Sequence, residues 1–149
     1  MTEFKHIIRV ANTDLQGNKR ILIAMKKIKG VDVIFSNATL SIAGIDKAKK
    51  AGDLIDAEVE KINEILQNPL SFGIPDWMLN RRSDYETGED MHLIGPTLKL
   101  VKEDDIKRLK KTKTYKGLRH QWGLTVRGQR TKSNFRRSKG KGMGVKRKK

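Results

Sequence analysis

The chain has 149 residues, room for one domain and an appendage, and its charges are distributed unevenly. Residues 107–149 carry 18 Lys and Arg and no acidic residue, whereas residues 1–106 hold the other 15 basic residues and all 17 acidic ones. The lack of Cys excludes disulfides and thiolate zinc sites, and no stretch approaches the roughly 20 apolar residues of a membrane span. The N-terminus is unlike a signal peptide, because it carries an acid and no long apolar run. The basic third indicates a polyanionic partner, either nucleic acid or an anionic membrane surface.

Residues 1–72 are predicted to form a helical head. Alternating apolar residues favour an extended segment over residues 4–11, and the following TDLQGN is typical of a turn. Three amphipathic helices follow, because apolar residues recur at helical spacing. They are predicted at about residues 19–27, at residues 33–43 with Gly44 at the end, and around Ile55, Val59, Ile62 and Leu66, with a stop at Asn68–Pro69.

Residues 73–101 are predicted to be an insertion with turns and small β elements. Pro75 favours a short helical turn in IPDWMLN. Two short strands, Met91–Ile94 and Thr97–Val101, are predicted on either side of Gly95-Pro96.

Residues 102–124 are predicted to form a helix pair, and residues 125–149 a tail. The fourth helix is expected to begin near Glu103, with i,i+4 ion pairs from Glu103 to Lys107 and from Asp104 to Arg108. A fifth helix is expected at about Tyr115–Gln121. The tail has too few apolar residues to bury a core, so it is expected to be extended or disordered until a partner binds.

The segment LIAMKKIKGVDVIFSNATLSIAG resembles a helix-hairpin-helix, whose Gly-hydrophobe-Gly turn offers backbone N–H groups to a phosphate. Here Asp32 replaces the second glycine, and its negative charge opposes a phosphate at that position. An ordinary packing turn explains the segment equally well. Lys26, Lys27 and Lys29 are therefore better candidates for phosphate contacts than the turn itself.

No arrangement of side chains is typical of catalysis or of a metal site. His6, His92 and His120 have no ligand spacing between them, and no phosphate-binding glycine loop occurs. We therefore predict a protein that is not an enzyme and needs no cofactor. In the basic region, His120 either contacts RNA or caps a helix, and Trp122 either stacks on a base or anchors the chain where the tail begins.

The segment Arg127–Lys132, RGQRTK, favours RNA over a membrane surface. Arg guanidinium groups match phosphate geometry and stack on bases, and Gly128 allows the backbone to come close. Gln129, Thr131 and Asn134 add neutral donors and acceptors, which suit the irregular grooves of folded RNA. A membrane-binding segment would need large apolar residues opposite the charges, and here they are thinly scattered.

Residues Gly117–Asn134, GLRHQWGLTVRGQRTKSN, are similar to the signature G-L-R-H-x-x-G-L-x-V-R-G-Q-R-T-K-T/S-N. On this motif the chain resembles the family of universal small-subunit ribosomal proteins numbered thirteen. The resemblance extends through IKGV at Ile28–Val31 to almost the whole chain. The insertion Gly73–Asp90 and the final GVKRKK are similar to the archaeal and eukaryotic branch.

The resemblance implies a mainly α fold with a helix-two-turn-helix head and an extended basic tail, in the head of the small subunit of the cytoplasmic ribosome. It implies four partners, with no membrane among them: small-subunit rRNA, peptidyl-site tRNA, the small-subunit protein numbered nineteen and, across an intersubunit bridge, the large-subunit protein numbered five. The predicted rRNA contacts are Lys26, Lys27, Lys29, Arg119, His120, Arg127, Gly128, Gln129, Arg130, Thr131, Lys132 and Asn134. The residues predicted to lie on the tRNA side are Arg136, Arg137, Lys139, Lys141, Lys146, Arg147, Lys148 and Lys149.

Two other functions fit parts of the sequence. A DNA-repair glycosylase shares the helix-two-turn-helix, but it would need a catalytic N-terminal amine or a pocket Lys, and Met1-Thr2-Glu3 offers no N-terminal proline. A free interaction module would use the basic tail for nuclear or membrane targeting. Strand cleavage of a lesion-containing duplex would favour the first, and a soluble chain that does not sediment with small subunits would favour the second.

Overall fold

The computed structural model describes residues 4–131, and the chain divides into two compact units. We call residues 1–102 the head unit and residues 103–149 the basic unit. The fold is mainly α, with five helices and one two-stranded sheet in the described residues, as the sequence predicts. The elements are β1 Ile7–Val10, β2 Thr13–Gln16, α1 Ile21–Ala24, α2 Val33–Ala43, α3 Asp56–Gln67, α4 Gly95–Lys111 and α5 Tyr115–Trp122.

The head unit begins with an antiparallel hairpin in which Ile8 pairs with Leu15. Ala11 and Asn12 both have positive φ, at 45° and 57°, as the central residues of a tight hairpin turn require. The predicted extended segment is confirmed. The turn predicted for TDLQGN is confirmed only at Gly17 and Asn18, just before α1, because Thr13–Gln16 is the second strand. The chain reverses just before this strand, at Ala11 and Asn12, and an Asn side chain tolerates a left-handed backbone.

Three helices pack behind the hairpin, at the positions that the periodicity predicts. The first is short, because α1 passes into a 3₁₀ turn at Met25–Lys27. The second ends at Gly44, whose φ of 72° is the left-handed conformation of a helix C-terminus. The fully buried side chains that these elements share are Val10, Leu15, Ile21, Met25, Ile28, Leu40, Ile62 and Leu66.

The side chain of Asn80 links two segments of the insertion through hydrogen bonds to the backbone of Leu93. Its Oδ1 accepts from the N–H of Leu93 at 2.8 Å, and its Nδ2 donates to the carbonyl of Leu93 at 2.7 Å. The predicted helical turn in IPDWMLN is confirmed as a 3₁₀ turn at Asp76–Met78. Of the predicted strand Met91–Ile94, only Met91 forms a β-bridge, with Arg81.

The second predicted strand, Thr97–Val101, is wrong, because these residues lie in α4. The fourth helix begins at Gly95 and not near Glu103. Pro96 is compatible with a first helical turn, where a backbone N–H has no intrahelical acceptor in any case. The pair Gly95-Pro96 therefore starts a helix here and does not separate two strands. None of the helices within residues 4–131 has the length and apolar character that crossing a membrane requires.

Candidate RNA interface

The helix α5 carries the first half of the GLRHQW motif and is capped at both ends by its own sequence. The Thr114 hydroxyl accepts from the N–H of Gly117 at 3.1 Å, which satisfies one free donor of the first turn. At the other end Gly123 has a φ of 68°, and the N–H of Leu124 donates to the carbonyl of Arg119 at 2.9 Å. The fifth helix is therefore confirmed, one residue longer than predicted.

Gly117 permits a close approach between α4 and α5. A Cβ at this position would lie 2.0 Å from the carbonyl oxygen of Leu109, which no side chain tolerates. The Thr114 hydroxyl donates to the same carbonyl at 3.1 Å and so fixes the corner between the helices. The first glycine of the motif thus has a packing role within the basic unit. The sequence does not reveal this role, because a glycine that meets the backbone of its own chain resembles one that meets RNA.

Beyond α5 lies a hydrogen-bonded loop, Leu124–Thr131, which we call the basic loop. Gly128 has a φ of 76°, and the hydroxyl of Thr125 donates to the carbonyl of Gln129 at 3.0 Å. Arg119 reaches the loop from α5, with its Nε 2.9 Å from the Thr125 carbonyl. The structure thus adds a local bend and side-chain hydrogen bonds to the extended tail that the sequence predicts.

The predicted RNA contacts in this region differ in exposure. His120, Arg127, Gly128, Gln129 and Arg130 are exposed, whereas Arg119 and Thr131 are half-buried. Trp122 exposes 46% of its surface, so it is not buried as a core anchor would be. The remaining candidates lie outside the described residues: Lys132, Asn134, Arg136, Arg137, Lys139, Lys141, Lys146, Arg147, Lys148 and Lys149.

The end of α4, the turn after it and the start of α5 add cations that are not among the predicted RNA contacts. Lys110, Lys111, Lys113 and Lys116 are all exposed, and no acidic residue follows Asp105 in the sequence. The signal for them was the same one-sided charge run that marked the tail. They give the α4–α5 corner a positive surface.

Two ion pairs within α4 have i,i+3 spacing, and the charge of Glu103 also acts on Lys107 at the predicted i,i+4 spacing. Lys107 lies 2.9 Å from Asp104, and Arg108 lies 3.4 Å from Asp105, both at i,i+3. The hydrogen bond that Lys107 donates to the Asp104 carboxylate raises the pKa of Lys107. Both spacings bring side chains together on one helix face, so the choice between them depends on side-chain rotamers that the sequence does not specify.

In the head unit, residues 93–95 pack against the turn that follows α1. The N–H of Gly95 donates to the carbonyl of Lys29 at 2.8 Å, and Leu93 packs its carbonyl against Gly30. Asp32 stands at the start of α2, where a phosphate would otherwise sit. The hydrogen bond from the N–H of Val33, together with Lys26 at 3.2 Å, lowers the pKa of Asp32. The packing turn is the interpretation that fits this geometry.

Two of the three lysines near this turn have partners within the head unit. Lys26 pairs with Asp32, and Lys27 donates to the carbonyl of Asp14 at 2.6 Å. Lys29 is exposed. Their assignment as rRNA contacts stays a prediction, and it is strongest for Lys29.

No group of three or more His, Asp or Glu side chains within residues 4–131 is arranged to hold a metal ion. His92 has a structural environment: its ring stacks on Phe35 with centroids 3.8 Å apart, and its Nδ1 accepts from the N–H of Asn80 at 3.3 Å. Burial lowers the pKa of His92, so the ring is neutral at pH 7.

Comparison with known proteins gives one consistent family. The model of the family described as ribosomal protein S13/S18 matches residues 9–137. The chain is 51% identical over 148 residues to the small ribosomal subunit protein uS13 of Methanocaldococcus jannaschii, covering 99% of this chain and 97% of that protein. It is 50% identical over 147 residues to uS13 of Methanothermobacter thermautotrophicus, with the same coverage of both chains. It is 46% identical over 145 residues to uS13 of Nanoarchaeum equitans, covering 97% and 94%.

Proposed function

Since this chain belongs to the ribosomal protein S13/S18 family, we propose that its basic unit binds small-subunit rRNA and that its head unit contacts neighbouring ribosomal proteins. As a member of this family the protein is a structural, non-enzymatic constituent of the small subunit, in the cytoplasmic ribosome. The glycosylase alternative is therefore set aside.

The observation that carries the RNA-binding proposal is the separation of charge between the two units. Residues 103–149 hold 18 basic and 3 acidic residues, whereas residues 1–102 hold 15 basic and 14 acidic ones. A cationic surface gains affinity for nucleic acid mainly by releasing condensed counterions, and unpaired Lys and Arg are what this requires. The exposed guanidinium groups of Arg127 and Arg130 also offer bidentate contacts to phosphate.

The direct RNA contacts that we propose in the described residues are His120, Arg127, Gly128, Gln129, Arg130 and Thr131, together with Lys29. Lys132 and Asn134 continue the same segment. Along the remaining tail, the basic residues from Arg136 to Lys149 approach the peptidyl-site tRNA. Sequence order supports this division, since the tail follows directly on the basic loop.

We propose the small-subunit protein numbered nineteen and the large-subunit protein numbered five as the protein partners. The head unit exposes several large apolar side chains. Ile34 on α2 and Trp77 in the insertion expose 71% and 66% of their surface. Exposed residues of this kind are typical of protein–protein contact sites.

Sucrose-gradient sedimentation of cell extracts tests the proposed function. A tagged full-length chain is expected to sediment with small subunits, and the double variant Arg127→Gln, Arg130→Gln is expected to shift toward the soluble fractions as salt is raised. Arg82→Gln, which removes an exposed arginine from the head unit, is the matched control and should sediment as the parent does. Recovery of the parent chain only in the soluble fractions would exclude the ribosomal assignment and favour a free interaction module.

A further inference from the structure

Arg119 is the one predicted RNA contact in α5 whose guanidinium already has protein partners. Its Nε lies 2.9 Å from the carbonyl oxygen of Thr125, and its Nη2 lies 3.5 Å from the hydroxyl of the same residue. The guanidinium carbon lies 5.9 Å from the centroid of the Tyr115 ring, one turn earlier in α5. Arg119 is half-buried by these neighbours, in contrast to the exposed Arg127 and Arg130.

The contact with Thr125 is part of a relay that shapes the basic loop. The Thr125 hydroxyl accepts from Arg119 and donates to the carbonyl of Gln129, which uses both capacities of one oxygen. This closes the loop across its bend and helps to hold the left-handed backbone at Gly128, where φ is 76°. A chain of this composition has little apolar surface to order it by burial, so the relay is the source of local order.

We propose that Arg119 is a positioning residue: it fixes the basic loop so that Arg127 and Arg130 face the RNA, and it is not itself a phosphate contact. The proposal rests on the RNA-binding function proposed above. Ordering the backbone of a loop costs conformational entropy. A loop that is ordered before binding has already met that cost, so its affinity for RNA is higher.

The chemistry of the relay requires arginine. The planar guanidinium presents Nε and Nη2 in a fixed geometry that matches the carbonyl and the hydroxyl of Thr125. A lysine at this position keeps the positive charge but has a single terminal nitrogen, which cannot reproduce both bonds. Charge and geometry are therefore separable by mutation, and this separates the positioning role from a phosphate contact.

The test uses fluorescently labelled full-length chains and small ribosomal subunits that lack this protein, with Kd measured over a series of KCl concentrations. Arg119→Lys and Arg119→Ala are both expected to weaken binding about tenfold, which corresponds to about 1.4 kcal/mol, with the parent's salt dependence, because both lose the paired hydrogen bonds to Thr125. Arg127→Gln is the matched contact variant, and its slope of log K against log salt should fall by about 0.7. An Arg119→Lys chain that binds like the parent, or an Arg119→Ala chain whose slope falls as that of Arg127→Gln does, would overturn the proposal.

Thr125→Val provides a second, uncharged variant that removes the hydroxyl and keeps the shape of the side chain. It is expected to weaken binding, and to add little when combined with Arg119→Ala, because both changes break the same relay.

A double-mutant cycle tests whether Arg119 acts through Arg127. Arg127→Gln should cost less affinity in the Arg119→Ala chain than in the parent, at unchanged helix content by circular dichroism. Strict additivity would overturn the positioning role while leaving RNA binding intact. Failure of the parent chain itself to bind would instead refute the proposed function.

Discussion

The head unit balances its 15 basic residues with 14 acidic ones, whereas the basic unit holds 18 basic residues and only 3 acidic ones. In the head unit Lys49 lies 2.7 Å from Glu58, and Lys26 lies 3.2 Å from Asp32. In the basic unit the last acidic residue of the sequence is Asp105, and the exposed lysines of α4 and α5 follow it. The comparison shows that the total charge of a chain does not locate a nucleic-acid site. A cation that already pairs with a carboxylate of its own chain neutralises little phosphate charge and so releases few counterions from the nucleic acid.

The two units also differ in what holds them together. The apolar core cluster of the head unit runs from Ile8 to Ile74. Of the described residues of the basic unit, only Gly117 is buried. The described part of this unit is instead held together by the helix caps, by the close approach of α4 and α5 at Gly117, and by the hydrogen bonds between Arg119 and Thr125. We therefore expect changes in the head unit to alter the free energy of unfolding, and changes in the basic unit to alter affinity for RNA. Three predictions, ordered by expected effect, test that separation.

The largest effect is expected from deleting residues 113–149, which removes 14 Lys and Arg. Affinity for small subunits that lack this protein should fall by about a thousandfold or more, and most of its salt dependence should be lost, because each phosphate contact contributes about 0.7 to the slope. The melting temperature should stay near that of the parent, because the core cluster lies within residues 8–74. Fluorescence binding titrations and thermal denaturation measure the two quantities. Equal affinity and equal slope in both chains would refute the tail as the RNA-binding part.

The next prediction concerns the turn of the head unit that resembles a phosphate site. Gly30 has a φ of 97°, and a Cβ there would lie 2.4 Å from the carbonyl oxygen of Leu93. Gly30→Ala is expected to lower the free energy of unfolding by about 2–4 kcal/mol, from backbone strain of about 1–2 kcal/mol and the displacement of Leu93 from Asn80. Chemical denaturation measures this loss.

Gly44→Ala is the matched control for that substitution. Gly44 also has a positive φ, 72°, but a Cβ there meets nothing within 4 Å. This variant should therefore show the strain alone, about 1–2 kcal/mol. If the two variants lose equal stability, the contact with Leu93 does not matter. If Gly30→Ala instead weakens RNA binding while the fold stays intact, the turn is a phosphate site after all.

The sequence predicts the elements whose signal is local. Helix α2 and its end at Gly44 follow from apolar spacing and a left-handed glycine, and the structure has the predicted bounds, Val33–Ala43. The start of α4 was missed because Gly95-Pro96 is compatible both with a loop between strands and with a first helical turn. Only the packing of this segment decides: the N–H of Gly95 is held by the carbonyl of Lys29, which is distant in sequence.

The candidate site was predictable as a region but not residue by residue. The absence of carboxylates after Asp105 marks the whole basic unit. It does not distinguish Arg119, which bonds to Thr125, from Arg127, which is exposed, because a guanidinium suits a carbonyl and a phosphate equally well. The absence of carboxylates likewise does not distinguish Gly117, where an added Cβ would meet the carbonyl of Leu109, from Gly128, where an added Cβ would meet nothing within 4 Å among the described residues.

The smallest effect is expected from the titration of His92 in the head unit. Burial lowers the pKa of this ring below its ordinary value of about 6.5, so the unfolded chain binds a proton more readily than the folded one. The stabilisation is then fully present above about pH 6.5 and is lost as the pH falls from there toward the lowered pKa. Because solvent reaches part of the ring, the loss should stay below about 1 kcal/mol.

Urea denaturation of the full chain between pH 7 and pH 5 measures this loss. In this range the ordinary carboxylates, with pKa values near 4, stay ionised, so they do not obscure the result. His92→Gln is the control, since an amide can still accept from the N–H of Asn80 but does not titrate. It should remove the difference in stability between pH 7 and pH 5, and a parent chain whose stability does not fall over this range would contradict the neutral, stacked ring.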